Sequence, residues 1–528
     1  MLRIEQLRLL PEEPETALLA RCARLLHTDP AALTGLTVLR RAIDAREGLT
    51  FVYTVAVSAP QEAALLRRCR DRRVTAYTPE RYALPAPVTP PETRPIVVGA
   101  GPAGLFAALV LARCGARPIL LERGRRVEQR QQDVARFWCG GPLDTESNVQ
   151  FGEGGAGAFS DGKLNTGTRD VRHRYIMEQL VSCGAPAGIL TDALPHVGTD
   201  KLHIALQCLR RQLLEAGADI RFGARLDGLT VQDSVLTAVT VRQGDTLYTL
   251  PARQVILAPG HSARDTFELL YAAGLAMEQK PFAMGVRIEH RQSAVDAARY
   301  RKLAGHPSLP PATYKLSCHL PNGRSAFSFC VCPGGEVVAA ASEAGRVVTN
   351  GMSEYARDGE NINGALLVNV TPADFPDSHP LSGVRLQRQL EDAAYALGGG
   401  DYRAPCQRVE DFLAGRPSTG CGAVRPSYRP AVTYTDLHRC LPPFLSETLA
   451  LALPELGKKL RGYDDPDALL TGVETRSSSP VRLVRDDRYE ANIRGLYPCG
   501  EGAGYAGGIL SAAADGMRCA EKLLEVYR

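Results

Sequence analysis

Between Pro95 and Glu122 the chain reads as apolar strand, glycine turn, apolar helix and apolar strand, an order that demands a buried parallel sheet flanked by helices. The turn is Gly99-Ala100-Gly101-Pro102-Ala103-Gly104. It follows Ile96-Val97-Val98, opens a helix over 105–114, and is followed about 20 residues on by Glu122 at the end of the next strand. Gly99 permits the tight turn, Gly101 lets the backbone approach a pyrophosphate, and Gly104 lets helix and strand pack closely. The helix start, with Pro102 and Ala103, offers free N–H groups and partial positive charge to phosphates. Glu122 can accept hydrogen bonds from ribose hydroxyls and would repel a 2′-phosphate, and Arg123 stands beside it. A G-x-G-x-x-G alone is weak evidence. In this strand–turn–helix context it is the dinucleotide fingerprint.

FAD and NAD share that fingerprint, and the rest of the chain favours FAD. Flavoenzymes of the glutathione-reductase type complete their site with a late segment. There an acid-containing turn reaches the ribityl chain and a helix start faces the flavin ring. The matching segment runs from Gly500 to Ser511, with Glu501 as the acid and Gly507, Gly508 and Ile509 at the helix start. A helix N-terminus there suits the negative charge of a reduced flavin. The loop from Gln150 to Asn165 is crowded with small residues, Gly154, Gly155, Ala156, Gly157 and Ser160 among them, as close contact with a cofactor requires. Lys163, in the same loop, reads as a neighbour of the flavin or of an anionic substrate, or as a solvated charge. Gly260 ends the strand-like run Gln254-Val-Ile-Leu-Ala-Pro and is placed in the same site. No second strand–G-x-G-x-x-G–helix unit occurs, so NADH or NADPH, if used, binds transiently as an electron donor without a Rossmann domain of its own.

Composition narrows the partners. With 62 Lys+Arg against 58 Asp+Glu the net charge is +4, small for 528 residues, so no nucleic-acid partner is expected. The 14 Cys include no C-x-x-C pair, which signals neither a redox-active dithiol nor a metal site. Cys330 and Cys332 share one face of a strand, where direct bridging is strained, and read as two free, mostly buried thiols. Unpaired cysteines and the absence of a signal peptide point to the cytoplasm. The apolar stretch near 105–121 is interrupted by Arg113, Gly115 and Arg117, so no membrane span is read.

Four segments follow from the patterning. Residues 1–88 read as an N-terminal β-α-β-β-α module of ferredoxin-like type, ended by a proline-rich linker. Residues 93–274 read as the first part of a Rossmann-type α/β domain, 275–470 as an inserted α+β substrate domain, and 471–528 as the C-terminal completion. Within these, a helix is expected over 200–216, and an antiparallel excursion near 231–250.

Three candidates for chemistry are softer. His290, after Glu289, reads either as a base near the ring or as a structural histidine. Arg476, in Glu474-Thr-Arg-Ser-Ser-Ser-Pro480, reads as an anchor for an anionic substrate or as half of an internal salt bridge. His261-Ser-Ala-Arg264 reads as a domain-interface lining or as the cap of the next helix.

Six phrases resemble one family over nearly the whole chain: Phe151-Gly-Glu-Gly-Gly-Ala-Gly, Gly260-His-Ser-Ala-Arg-Asp, Phe329-Cys-Val-Cys-Pro-Gly-Gly, Asn350-Gly-Met-Ser, Glu474-Thr-Arg-Ser-Ser-Ser-Pro and Gly500-Glu-Gly-Ala-Gly-Tyr-Ala-Gly-Gly-Ile. The family is that of the bacterial FAD-dependent dehydrogenases, or uncharacterised FAD-dependent proteins, similar in fold to glutathione-reductase-type flavoproteins. The resemblance implies FAD and an oxidoreductase but supplies no substrate. The resulting expectation is hydride or electron transfer through flavin N5 to or from a small organic molecule. An FAD-dependent monooxygenase and a non-catalytic FAD-containing protein that binds RNA or a partner are the alternatives. Substrate, donor and oligomeric state stay open at this level.

Overall fold

The computed structural model describes residues 1–527. The first 76 residues run β-α-β-β-α-β. Strands Thr34–Asp44, Thr50–Ser58, Leu2–Leu9 and Val74–Ala76 lie in that order in one antiparallel sheet. Helix Ala17–Leu26 turns Leu18, Cys22 and Leu26 onto it. In the first strand Leu2 and Ile4 point inward, and so do Leu7 and Leu9. An irregularity between Ile4 and Leu7, with Gln6 at φ +58°, resets the alternation so that both pairs reach the same core. The module docks through its second strand. Arg41 N–H donates to the Thr191 carbonyl (2.7 Å), and Ala193 N–H donates to the Arg41 carbonyl (2.8 Å).

A five-stranded parallel sheet carries the glycine turn. Its order is Leu496–Pro498, Val255–Leu257, Ile96–Val98, Ile119–Glu122, Asp219–Phe222. Strand periodicity splits its side chains between two cores. Val97, Leu120 and Ile256 pack under helices Pro102–Arg113 and Ile509–Glu525, whereas Ile96, Val98, Leu121 and Val255 face an antiparallel three-stranded sheet, Ala224–Gln232, Val235–Gln243 and Thr246–Pro251. The first and last helices of the sheet therefore lie side by side, and Gly516 meets the Ala103 backbone too closely for any side chain. Helix Thr199–Glu215 covers the same face through Leu202, Leu206, Leu209 and Leu213.

The region least readable in the sequence is a seven-stranded sheet, ordered Ser317–His319, Ser325–Cys332, Asn361–Val370, Phe282–Arg291, Leu469–Glu474, Ala404–Arg408, Val432–Tyr434. All of its pairs are antiparallel except the last. Phe282–Arg291 is buried at every position but its last, so it shows no alternation. Helix Pro443–Lys459 lays Leu445, Leu449, Leu453 and Leu456 against the sheet.

Candidate functional site

The carboxyl ends of the parallel strands open into one cavity of about 2030 Å³, at the crevice where α/β sheets bind ligands. Gly99 sits at φ +98°, and Gly101 precedes helix Pro102–Arg113 without a side-chain cap, so the first-turn N–H groups face the cavity. Gly104 lies beneath, where a Cβ would collide with the Gly99 carbonyl. Gly155, at φ +58°, faces Gly101 across the floor. Ala156, Gly157 and Ser160 continue that wall, while Gly154 lies outside the lining and donates to the Ala100 carbonyl at 2.8 Å.

Glu122 is 4% exposed, and its carboxylate accepts three backbone N–H groups. These come from Ala100 (2.7 Å), Gly124 (2.9 Å) and Gly152 (2.9 Å). It thus ties the glycine turn to the small-residue loop. Arg123 forks onto Asp265 at 2.8 and 2.9 Å, donates to Glu146 at 2.8 Å, and lies 4.1 Å from the Phe151 ring centroid.

The late turn meets the early one. Gly260, Gly500, Glu501, Gly507, Gly508 and Ile509 all line the cavity. Gly508 precedes helix Ile509–Glu525, again with no side-chain cap. Two uncapped helix starts therefore open into one space. Burial pushes the Glu501 carboxyl up to about 7, against the pull of the Gly508 N–H (3.2 Å) and the Lys280 charge.

Beyond the turns, chain-distant residues build a charged wall. Lys163 Nζ lies 2.9 Å from Asp161, and Arg357 pairs with the same carboxylate at 2.5 Å. Burial alone would raise Asp161, but the Lys163 and Arg357 charges hold it well below the usual carboxylate range. Arg287, fully buried, pairs with Glu474 at 3.0 Å and donates to the Cys330 carbonyl at 3.0 Å. Burial pushes Glu474 up to about 7. Tyr314 lines the cavity with a buried hydroxyl that has no hydrogen-bond partner among the described residues.

Two of the three softer candidates change character. His290 does not reach the cavity. It is 3% exposed, its Nε2 faces the Tyr463 carbonyl at 2.8 Å, and burial lowers its pKa, so it is a neutral core histidine instead of a base beside the ring. Arg476 lines the cavity but is clamped by Glu391 (2.8 and 3.0 Å), which also holds Arg264 at 2.7 Å. The internal salt bridge is the arrangement present. Of the third, His261, Ser262 and Ala263 line the cavity while Arg264 is buried against Glu391, and Lys163 lines the cavity as well.

The mouth is basic. Arg40 from the N-terminal module, Arg299, Arg301, Lys315 and Arg461 line it, all exposed and without an ion pair among the described residues. They come from four separate stretches of chain, so no local run of charge announces them.

A large space with two uncapped helix starts, a glycine floor and the Glu501 carboxyl fits a molecule with a diphosphate and an electron-accepting ring. These features belong to an α/β protein of the Rossmann type. Residues 92–133 match a family described as FAD binding domain, residues 281–477 one described as FAD-dependent protein, C-terminal domain-like, and residues 1–58 a domain of unknown function. Over all of its length the chain is 43% identical to an uncharacterised protein of Clostridium beijerinckii, covering 99% of it. The chain belongs to this family of uncharacterised FAD-dependent proteins, and it is an FAD-dependent oxidoreductase. Among solved structures, a flavin-dependent brominase aligns with TM-score 0.37 at 11% identity, over 82% of this chain and 79% of that one. A geranylgeranyl bacteriochlorophyll reductase-like protein from Thermoplasma acidophilum aligns with TM-score 0.36 at 13% identity, over 82% and 78%. Among the described residues no helix is long and apolar enough to cross a membrane.

Proposed function

We propose that this oxidoreductase is a dehydrogenase or reductase that passes hydride or electrons between FAD and a small organic substrate, with NADH or NADPH as a transient donor. The observation that carries this reading is the continuity of the cavity. At about 2030 Å³ it exceeds the roughly 300–1,000 Å³ of an ordinary single-ligand pocket. A dinucleotide on the two glycine turns would leave room for a second molecule between the charged wall and the mouth.

FAD supplies the two-electron chemistry when bound. The chain's own groups do the rest. The two helix starts offer positive potential to the diphosphate and to the electron-rich edge of the ring. Lys163 presents a cation to the cavity, suited to an anionic substrate group. Tyr314 offers a hydroxyl that burial keeps protonated, a donor with no hydrogen-bond partner among the described residues. Phe329 and Val331 add an apolar surface for an organic skeleton. The exposed arginines at the mouth suit the phosphates of a nucleotide donor.

The test is the absorption spectrum of the purified protein, followed anaerobically on adding NADH and then NADPH. A flavin band that bleaches with one nucleotide is expected. A flavin that neither nucleotide bleaches removes that donor. Oxygen uptake coupled to a hydroxylated product would replace the dehydrogenase with a monooxygenase.

A further inference from the structure

Cys330 and Cys332 sit where the sequence suggests two free, mostly buried thiols sharing one face of a strand, but the strand is not regular there. Its pairing with Asn361–Val370 shifts between Phe329 and Cys332, and Cys330 is held at φ +40°, a left-handed conformation that costs a non-glycine residue energy. The bulge breaks the regular two-residue spacing of the strand at this pair. It leaves Cys330 half-exposed in the cavity lining and places the Cys332 sulfur 3.3 Å from the Cys330 carbonyl.

Two cations converge on this pair. Lys163 Nζ is 3.8 Å from the Cys332 sulfur, and Arg287 Nη2 is 3.9 Å from it. Neither is needed by a neutral buried thiol. The charges around them do not balance. Lys163, Arg357 and Arg287 bring three positive charges against the carboxyls of Asp161, Glu474 and Glu289, and burial drives Glu474 and Glu289 towards their neutral forms. With two of the three carboxyls pushed towards neutrality the cluster is left cationic, and a thiolate reduces that imbalance. The pull is in that direction: interaction with Cys332, helped by the Lys163 and Arg287 charges, holds Cys330 below an ordinary thiol, and the same interaction lifts Cys332 above one.

We propose that Cys330 and Cys332 form a redox-active dithiol, resting as one thiol and one thiolate, that exchanges an electron pair with the flavin in the shared cavity. The balance is complete without a further reactant. As the S–S bond forms, the two sulfurs release two electrons and the one thiol proton, and oxidised FAD takes up all three to become the reduced anion. The reverse reaction reopens the bridge. This rests on FAD occupying the cavity as read above, and it gives the enzyme a two-electron store beside its cofactor.

The decisive measurement uses the wild-type holoprotein. Anaerobic titration of the fully oxidised protein with dithionite is expected to consume twice the electrons that its flavin alone accounts for. Cys330→Ser should halve that uptake, and Cys332→Ser should do the same if one variant fails to fold. Denatured oxidised protein should show two fewer free thiols than reduced protein, with a bridged Cys330–Cys332 peptide by mass. Uptake equal to the flavin's own share, with no bridged peptide, overturns the proposal. A preparation with no flavin band after reconstitution fails the earlier reading instead, and the two failures are told apart by the spectrum alone.

Discussion

At the floor of the cavity Asp161 is met by both Lys163 and Arg357, Glu122 by three backbone N–H groups, and Arg476 by Glu391. At the mouth Arg40, Arg299 and Arg301 meet no carboxylate among the described residues. The floor is buried, so each charge there must be matched or held in place by hydrogen bonds. The mouth is solvated, and water screens its unpaired cations at little cost. Floor residues thus set the shape that receives a cofactor, whereas mouth residues set which charged molecules approach.

The sharpest way to break this contrast is Asp161→Asn. It strands Lys163 and Arg357 in a buried site and should cost about 3–5 kcal/mol, read as a drop in melting temperature. The pH dependence has a definite sign. Asp161 is held below its unfolded value of about 3.9, so its contribution is fully present above that value and fades as pH falls through the folded one. The variant should therefore lose least, relative to wild type, at the acid end of a thermal-melt series. An unchanged gap down to pH 2 would remove the ion-pair account.

Gly155→Val comes next. The residue sits at φ +58°, and its Cβ would lie 3.1 Å from the Gly101 Cα, inside the floor. Strain of about 1–3 kcal/mol should weaken FAD binding by roughly 10- to 100-fold, measured by fluorescence titration of the apoprotein. The smallest effect on the fold is expected at the mouth. Arg40→Glu combined with Arg301→Glu should leave stability within about 0.5 kcal/mol while raising the nucleotide concentration needed to bleach the flavin about 10-fold. That penalty should shrink as salt is added. A loss insensitive to ionic strength would mean that these arginines do not act as a charged entrance.

Much of the site was legible locally. The turn from Gly99 to Gly104, the loop around Gly155 and the segment from Gly500 to Ile509 each announce themselves within a few residues, because close backbone approach demands glycine whatever the rest of the chain does. The helix expected over 200–216 is present as Thr199–Glu215 for a similar reason: its leucines recur at helical spacing. His290 was ambiguous, because a histidine in an apolar strand looks the same in sequence whether its ring faces a cavity or the core. Phe282–Arg291, which carries it, is buried on both faces, so no alternation marks which side is which.

The amino-acid sequence by itself determined the nucleotide-binding α/β framework, the cofactor class and the two glycine turns that line the cavity, since backbone geometry and hydrophobic periodicity are local properties. Only the tertiary structure decided that both helix starts open into one cavity, that Glu391 neutralises Arg476, and that Lys163 and Arg287 converge on a bulged cysteine pair. The partners in those contacts lie dozens to hundreds of residues apart, and nothing in a charge's own sequence neighbourhood records what burial will place beside it.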